Sequence, residues 1–337
     1  MTMHRQFRTL AVCAALLLGT GGSVHAQTPP AQTPPSAAAA AVGPSEQRAQ
    51  GFALQAALDR AGFSSGVIDG QPGPKTKAAL RIFQEAHNLP ASPRPDAATW
   101  QALGDGPALV TYTVTAEDLA GPFVEHMPDD MMAMRGLDAL GYRSAVEMLA
   151  ERFHTSERVL ASLNPDVQWT EGATVQVPNV EPFYPPAVTE TREQHPPGAA
   201  EVAEVRVSKA GNTLIVRGHE GQVLFMAPVS SGSEHDPLPL GEWKVTAVYL
   251  QPIFNYDPDL FWNRNPTHDK ARLPPGPNSP VGVVWVDIDK EHYGLHGTPA
   301  PERIGLSQSN GCVRLTNWDA MRLAAIVTTG TRVLFEP

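Results

Sequence analysis

Proline punctuates the whole chain, 33 times in 337 residues, about twice its ~5% share in ordinary domains. Each one removes a backbone donor and clashes with the preceding helical turn. Long uninterrupted helices are therefore excluded, and with them a coiled coil or a helical repeat array. What remains is a series of short elements. At ~100–200 residues per domain the length corresponds to two or three of them. A hydrophobic content of 42% supplies ordinary cores. The formal charge of −10, with no block of Lys or Arg, excludes a dedicated nucleic-acid binder, whose affinity comes from neutralising phosphates.

The first 26 residues read as a secretory leader. Arg5 and Arg8 precede the nine-residue apolar run Leu10–Leu18, and Val24-His25-Ala26 is a small-residue cleavage site. Nine apolar residues are too few to span a bilayer, which takes ~20, so no transmembrane anchor is expected after cleavage. The product is expected in the periplasm or cell wall. Cys13 lies inside the apolar run, and Val12 before it does not suit a lipidation signal. Removal of the leader leaves Cys312 as the one thiol. A lone thiol in an exported chain is either a buried core residue or a reactive one.

The segment 27–45, with its AQTPP repeat and alanine run, reads as a Pro/Ala-rich tether. From 46 to 105 the pattern becomes helical. Leu54, Leu58 and Ala61 recur at helical spacing with Gly62 as C-cap, Thr76 is placed to cap a second helix bearing Ala79, Leu80 and Phe83, and Trp100 and Leu103 mark a third. The turn and helix residues Asp69-Gly70, Gly73, Thr76, Ala79-Leu80 and Phe83-Gln84 resemble peptidoglycan-binding domain 1, a three-helix bundle. In 110–180 a strand at Tyr112–Val114, helices at Ala145–Phe153 and Ser156–Leu163, and a strand at Val175–Pro178 are expected. The end of this region resembles the LysM glycan-binding module, whereas Ala120–Gly141 is an insertion foreign to it. The proline-rich 181–200 reads as a second linker. Strands follow at Val202–Val207, Thr213–Arg217, Gln222–Val229, Glu242–Tyr249, Val281–Ile288 and Thr331–Phe335, with a helix capped by Thr316.

Chemistry concentrates in Glu291–Leu315. His296-Gly297-Thr298 is followed, fifteen residues after His296, by Gly311 and Cys312 within Ser309–Arg314. A thiol attacks carbonyls as thiolate and needs a base, a role an imidazole fills before returning the proton to a leaving amine. Glycine before the thiol lets backbone N–H groups approach a developing oxyanion. These residues resemble the L,D-transpeptidase (YkuD-type) catalytic domain, whose H-G-T and S-x-G-C-[VI]-R positions are all present, with Asn310 at the variable one. The likeness extends over 203–337. It departs at Leu238–Gly241, where members carry a T-P-x-G turn.

The resemblance implies that Cys312 attacks a tetrapeptide stem of peptidoglycan, expels its terminal D-alanine, and passes the acyl group to a stem amine as acceptor. It also implies His296 as base then acid, with Gly311 and Cys312 N–H groups in the oxyanion hole. Arg314 would order the catalytic loop or meet a substrate carboxylate, Ser309 would hydrogen-bond near the thiol, and Gly297 and Thr298 would shape the turn that aims His296. No cofactor and no metal is implied, since His292 and His296 lie in a glycine-containing, strand-like run without an H-E-x-x-H. A papain-like order is excluded because histidine precedes cysteine. The aromatic stretch Tyr249–Asn265 is expected to be a substrate lid, with Tyr249, Tyr256 and Trp262 facing the donor.

The expected fold class is thus multidomain α+β: a three-helix peptidoglycan-binding bundle, a small LysM-like α+β middle region, and a β-rich catalytic domain over 201–337. The alternatives are an L,D-carboxypeptidase or amide hydrolase using the same thiol, and a non-catalytic wall-binding protein.

Overall fold

The computed structural model describes residues 44–188, 192–194, 202–262 and 264–337. The expected leader at 1–26, with Cys13, lies outside the described residues, as do nearly all of the 27–45 tether and Asn263 of the expected lid.

The chain begins with helices α1 (Pro44–Arg60), α2 (Pro74–Ala86) and α3 (Ala97–Leu103). Leu54, Leu58, Ala79, Leu80, Ile82 and Phe83 form their core, with Trp100 and Leu103 packed against it. Thr76 does not cap α2. That helix starts at Pro74 behind Gly73, a fixed-φ residue suited to the first turn, and Thr76 lies buried inside it, hydrogen-bonded by Gln55 at 3.2 Å.

The middle region runs β1 (Leu109–Thr113), α4 (Ala116–Ala120), α5 (Met131–Met134), α6 (Ala145–Arg152), α7 (Glu157–Leu163) and β2 (Thr174–Pro178). β1 and β2 pair antiparallel, and Leu149, Phe153, Val159 and Leu160 bury against Val175 and Val177. Ser144 and Ser156 accept from Glu147 and Val159 amides, which sets where α6 and α7 begin.

The remaining strands are β3 (Arg192–Gln194), β4 (Val202–Ser208), β5 (Thr213–Gly218), β6 (Val223–Pro228), β7 (Gly241–Leu250), β8 (Phe254–Tyr256), β9 (Ala271–Leu273), β10 (Val284–Ile288), β11 (Gly294–His296), β12 (Val313–Arg314) and β13 (Arg332–Glu336), with α8 (Asn317–Ile326) before the last. The main sheet has the order β12-β11-β10-β7-β13-β4-β5-β6, with β3 also on β7, while β8 and β9 form a separate hairpin. Thr316 caps α8 through the Asp319 amide. Trp318, Leu323 and Ala324 of that helix pack with Val284, Val286 and Leu295 of the sheet in one apolar core.

Two stretches of the expected 181–200 linker are ordered parts of the catalytic body. Phe183 is buried in its core, and residues 192–194 pair with β7. The modules are also joined directly. Gly62–Ser64 bonds to Met226 on both sides (Met226 N to Gly62 O 2.9 Å, Ser64 N to Met226 O 2.8 Å), covering the free edge of β6. Asp59 of α1, buried, accepts from Arg322 of α8 at 2.8 and 3.1 Å and lies 3.1 Å from His154 Nδ1. The His154 ring stacks on Trp318 at 5.2 Å. Burial works against the Asp59 charge, yet His154 and Arg322 together hold its carboxyl well below the usual range.

Candidate active site

His296 ends β11, which pairs parallel with β12 in the register Leu295↔Val313, His296↔Arg314. Paired residues share a sheet face and side chains alternate along a strand. Arg314 therefore falls on the same face as His296, and Cys312 stands immediately before β12, near enough to Arg314 for that charge to act on the thiol as it does on the imidazole. The row continues through Trp285 opposite His296 and Tyr249 opposite Trp285. The Trp285 ring stacks on the imidazole at 5.4 Å and 17°. Tyr249 thus belongs to the central strand β7 and not to the loop after it.

His296 is buried, and its Nδ1 lies 2.7 Å from the Gly297 carbonyl. A carbonyl only accepts, so Nδ1 carries the proton and Nε2 is the basic nitrogen. Burial, with the nearby Arg314 charge, pushes the imidazole pKa down to about 3. Cys312 is half-buried. Its Sγ donates to the His292 carbonyl at 3.7 Å. Burial raises the thiol to about 11, against smaller lowering effects of the Gly294 backbone and Arg314. The resting pair is accordingly a neutral thiol and a neutral imidazole.

The predicted loop residues surround this pair. Gly311 has φ +97°, and a Cβ there would meet Tyr293 Cε1 at 2.5 Å, so only glycine fits. Ser309, buried, donates to the Cys312 carbonyl at 2.5 Å. The Arg314 backbone pairs with Ser230 at 2.8 and 3.1 Å, and its guanidinium donates to the Gln308 carbonyl at 3.4 Å. Thr298 accepts from the Ala300 amide at 3.3 Å, within the turn after His296. Gly297 answers to a close approach: a Cβ would lie 2.2 Å from Asn317 Oδ1.

Asn317 was not among the residues singled out from the sequence, nor were Tyr293, Trp285 and Ser230. It accepts from the Val283 amide at 3.2 Å and donates to Glu151 at 2.8 Å and to the Pro277 carbonyl at 3.1 Å. It wedges beneath the His296 turn from α8. The signal for Tyr293 was present, since it lies between His292 and Gly294 in the motif. Asn317 carried none, because its partners are distant in the chain.

The β8–β9 hairpin and the residues between its strands follow the central strand β7. Trp262, exposed, stacks on His235 at 4.2 Å, a residue of the loop after Ser230. Tyr256 is buried instead, in a cluster with Leu140, Ala271 and Leu273. Asp257 lies close enough to His292 for that ring to lower its pKa, although Lys270 and the Asp259 amide do more.

Residues 203–334 match the model described as "L,D-transpeptidase catalytic domain", and 49–103 match "Putative peptidoglycan binding domain". The "Putative L,D-transpeptidase YkuD" of Bacillus licheniformis is 48% identical over 63 residues, 19% of this chain and 38% of that protein. Its Bacillus subtilis namesake is 49% identical over 57 residues, 35% of its length, so the chain spans little over a third of either relative. The structure of L,D-transpeptidase 3 from Mycobacterium tuberculosis with a faropenem-derived adduct is similar over 50% of this chain and 76% of its own, at 20% identity and a TM-score of 0.34. The "Putative L,D-transpeptidase YqjB" of Bacillus subtilis is 32% identical over 136 residues, 39% of this chain and 69% of that protein. On that identity and coverage, the chain belongs to the L,D-transpeptidase family.

Proposed function

We propose that the protein is a peptidoglycan L,D-transpeptidase that makes 3→3 cross-links through an acyl-enzyme on Cys312, exported to the periplasm or cell wall by its leader and acting in wall biogenesis and cell shape. The observation that supports the reading is the parallel pairing of β11, which ends at the buried His296 with its proton on Nδ1, with β12, which follows directly on the half-buried Cys312.

In the first step the thiol proton moves to His296 Nε2 as the sulfur attacks the carbonyl of the diamino acid in the donor stem. The amides around Gly311 and Cys312 are aimed at the resulting oxyanion. Collapse breaks the bond to the terminal D-alanine, whose amine takes the proton from Nε2. The acceptor amine of a second stem then attacks the thioester, gives its proton to Nε2, and releases the sulfur to be reprotonated. Because thiol and imidazole rest neutral, the proton transfer belongs to the attack itself and not to a standing ion pair. Trp285 and Arg314 serve as the wall and the positive neighbour of the imidazole. The helical module is read as the glycan anchor, and the β1–α6–α7–β2 unit as a LysM-like companion.

Mass spectrometry after incubation with a tetrapeptide muropeptide tests this. A covalent adduct on Cys312, absent in Cys312→Ala, and a cross-linked dimer product are expected. Tripeptide alone would assign the same thiol to water as acceptor, an L,D-carboxypeptidase. A thiol inert to stems and to carbapenems, with the pH response of an ordinary cysteine, would leave a wall-binding protein.

A further inference from the structure

The insertion that sets the middle region apart from its LysM-like pattern does not project into solvent. Met127, Met131, Met132, Met134 and Leu137 pack with Leu140 against Phe254, Tyr256, Phe261, Ala271 and Leu273 of the β8–β9 hairpin. Its far end is stitched to the segment after β9, with Leu140 N bonded to Pro275 O at 2.8 Å and Asn278 N to Leu140 O at 2.9 Å. One polar link crosses the same contact. Asp130 Oδ2 lies 2.8 Å from His268 Nε2, and Tyr256 OH lies 3.1 Å from His268 Nδ1. Asn265 Nδ2 also lies 3.0 Å from Nε2, but the Asp130 carboxylate only accepts and takes the Nε2 proton, while Nδ1 accepts from the tyrosine hydroxyl. Asp130 thereby fixes the ring that fixes Tyr256.

We propose that residues 121–141 are the seat of the hairpin, and that Asp130 is a positioning residue acting through His268 to set donor-stem affinity without touching the thiol. This rests on reading the hairpin as the donor-facing wall of a transpeptidase. Methionines suit such a seat, because unbranched thioethers fill irregular gaps and repack at low cost. The hairpin has only three residues per strand, too little to hold itself, so the seat supplies its order.

Asp130 also caps α5 through the Met132 and Ala133 amides, and the variants must separate the two roles. Asp130→Ser keeps a capping oxygen but is too short to reach His268. His268→Ala removes the ring, and His268→Gln retains an N–H at the Nε2 position. Hydrogen exchange of the amides at 254–256 and 271–273 is expected to speed about tenfold in Asp130→Ser and His268→Ala, with β7 and β10 unchanged. KM for the donor stem is expected to rise about three- to tenfold at nearly constant kcat. Alkylation of Cys312 by iodoacetamide stays at the wild-type rate, and His268→Gln restores both hairpin exchange and KM. Unchanged hairpin exchange in both loss variants overturns the proposal, as does a loss confined to kcat. A wild type that turns over no donor stem overturns the transpeptidase reading alone, and the exchange rates then decide the seat by themselves.

Discussion

The floor of the cleft and its hairpin wall are held by opposite means. Behind the floor, α8 is pinned by buried hydrogen-bonded charges and amides: Arg322 to Asp59, Asn317 to Glu151 and Val283. The wall rests on methionines and a half-exposed carboxylate, Asp130. Buried charges penalise any misfit heavily, whereas a thioether contact yields. On the proposed reading, the difference would separate what must stay fixed for chemistry from what can adapt to a substrate.

The largest effect is expected from breaking the rigid side. Arg322→Met leaves Asp59 buried with only His154 beside it, a loss of about 3–5 kcal/mol on the usual scale for such orphaned charges. Thermal denaturation measures it, and a melting temperature within a degree or two of wild type would remove the contrast drawn above. Gly311→Ala comes next. With its Cβ against Tyr293 it displaces the sulfur, and acyl-adduct formation on a tetrapeptide donor is expected to slow about a hundredfold, the scale of a misplacement near 1 Å.

A third effect concerns the thiol itself. With its pKa near 11, alkylation is expected to keep rising about tenfold per pH unit from 8 to 10, where an ordinary cysteine levels off near 8.5. A plateau by pH 9 would mean that the floor stabilises the thiolate at rest. The smallest concerns Glu151, which burial raises to about 8. Its folded pKa lies above its unfolded one, so the stability it contributes is complete below about 4.5 and is lost as pH rises toward 8. Glu151→Gln lacks that loss. Its melting temperature relative to wild type is expected to climb by a few degrees from pH 5 to pH 8, and a flat difference would detach Glu151 from the floor's electrostatics.

The legibility of the sequence follows the same division. Gly297 and Gly311 were readable because their requirements are local: one crowded turn and one positive φ. The helices of 44–103 were readable from apolar spacing, and only the start of α2 was misplaced, since Pro74 rather than Thr76 opens it. Tyr249 was drawn into the lid because an aromatic-rich stretch shows no break where strand gives way to loop. The 181–200 segment looked like linker by composition, although Phe183 is buried in the catalytic core and 192–194 pair with β7. The insertion 120–141 was visible as an excess of residues, but its purpose was not. Its partners lie more than a hundred positions downstream, as with Asp130 and His268, and no pattern of spacing encodes such a pairing.

The junction of Asp59, His154 and Arg322 has one more consequence. A wall-gripping head on a loose string would let its catalytic partner roam a volume, with reach set by the string. Here the helical module is bolted to the catalytic domain, so, on the proposed reading, the span from a bound glycan to the sulfur would be a dimension of the folded body. A transpeptidase of that build would work as a jig, welding neighbouring strands at a spacing it carries within itself.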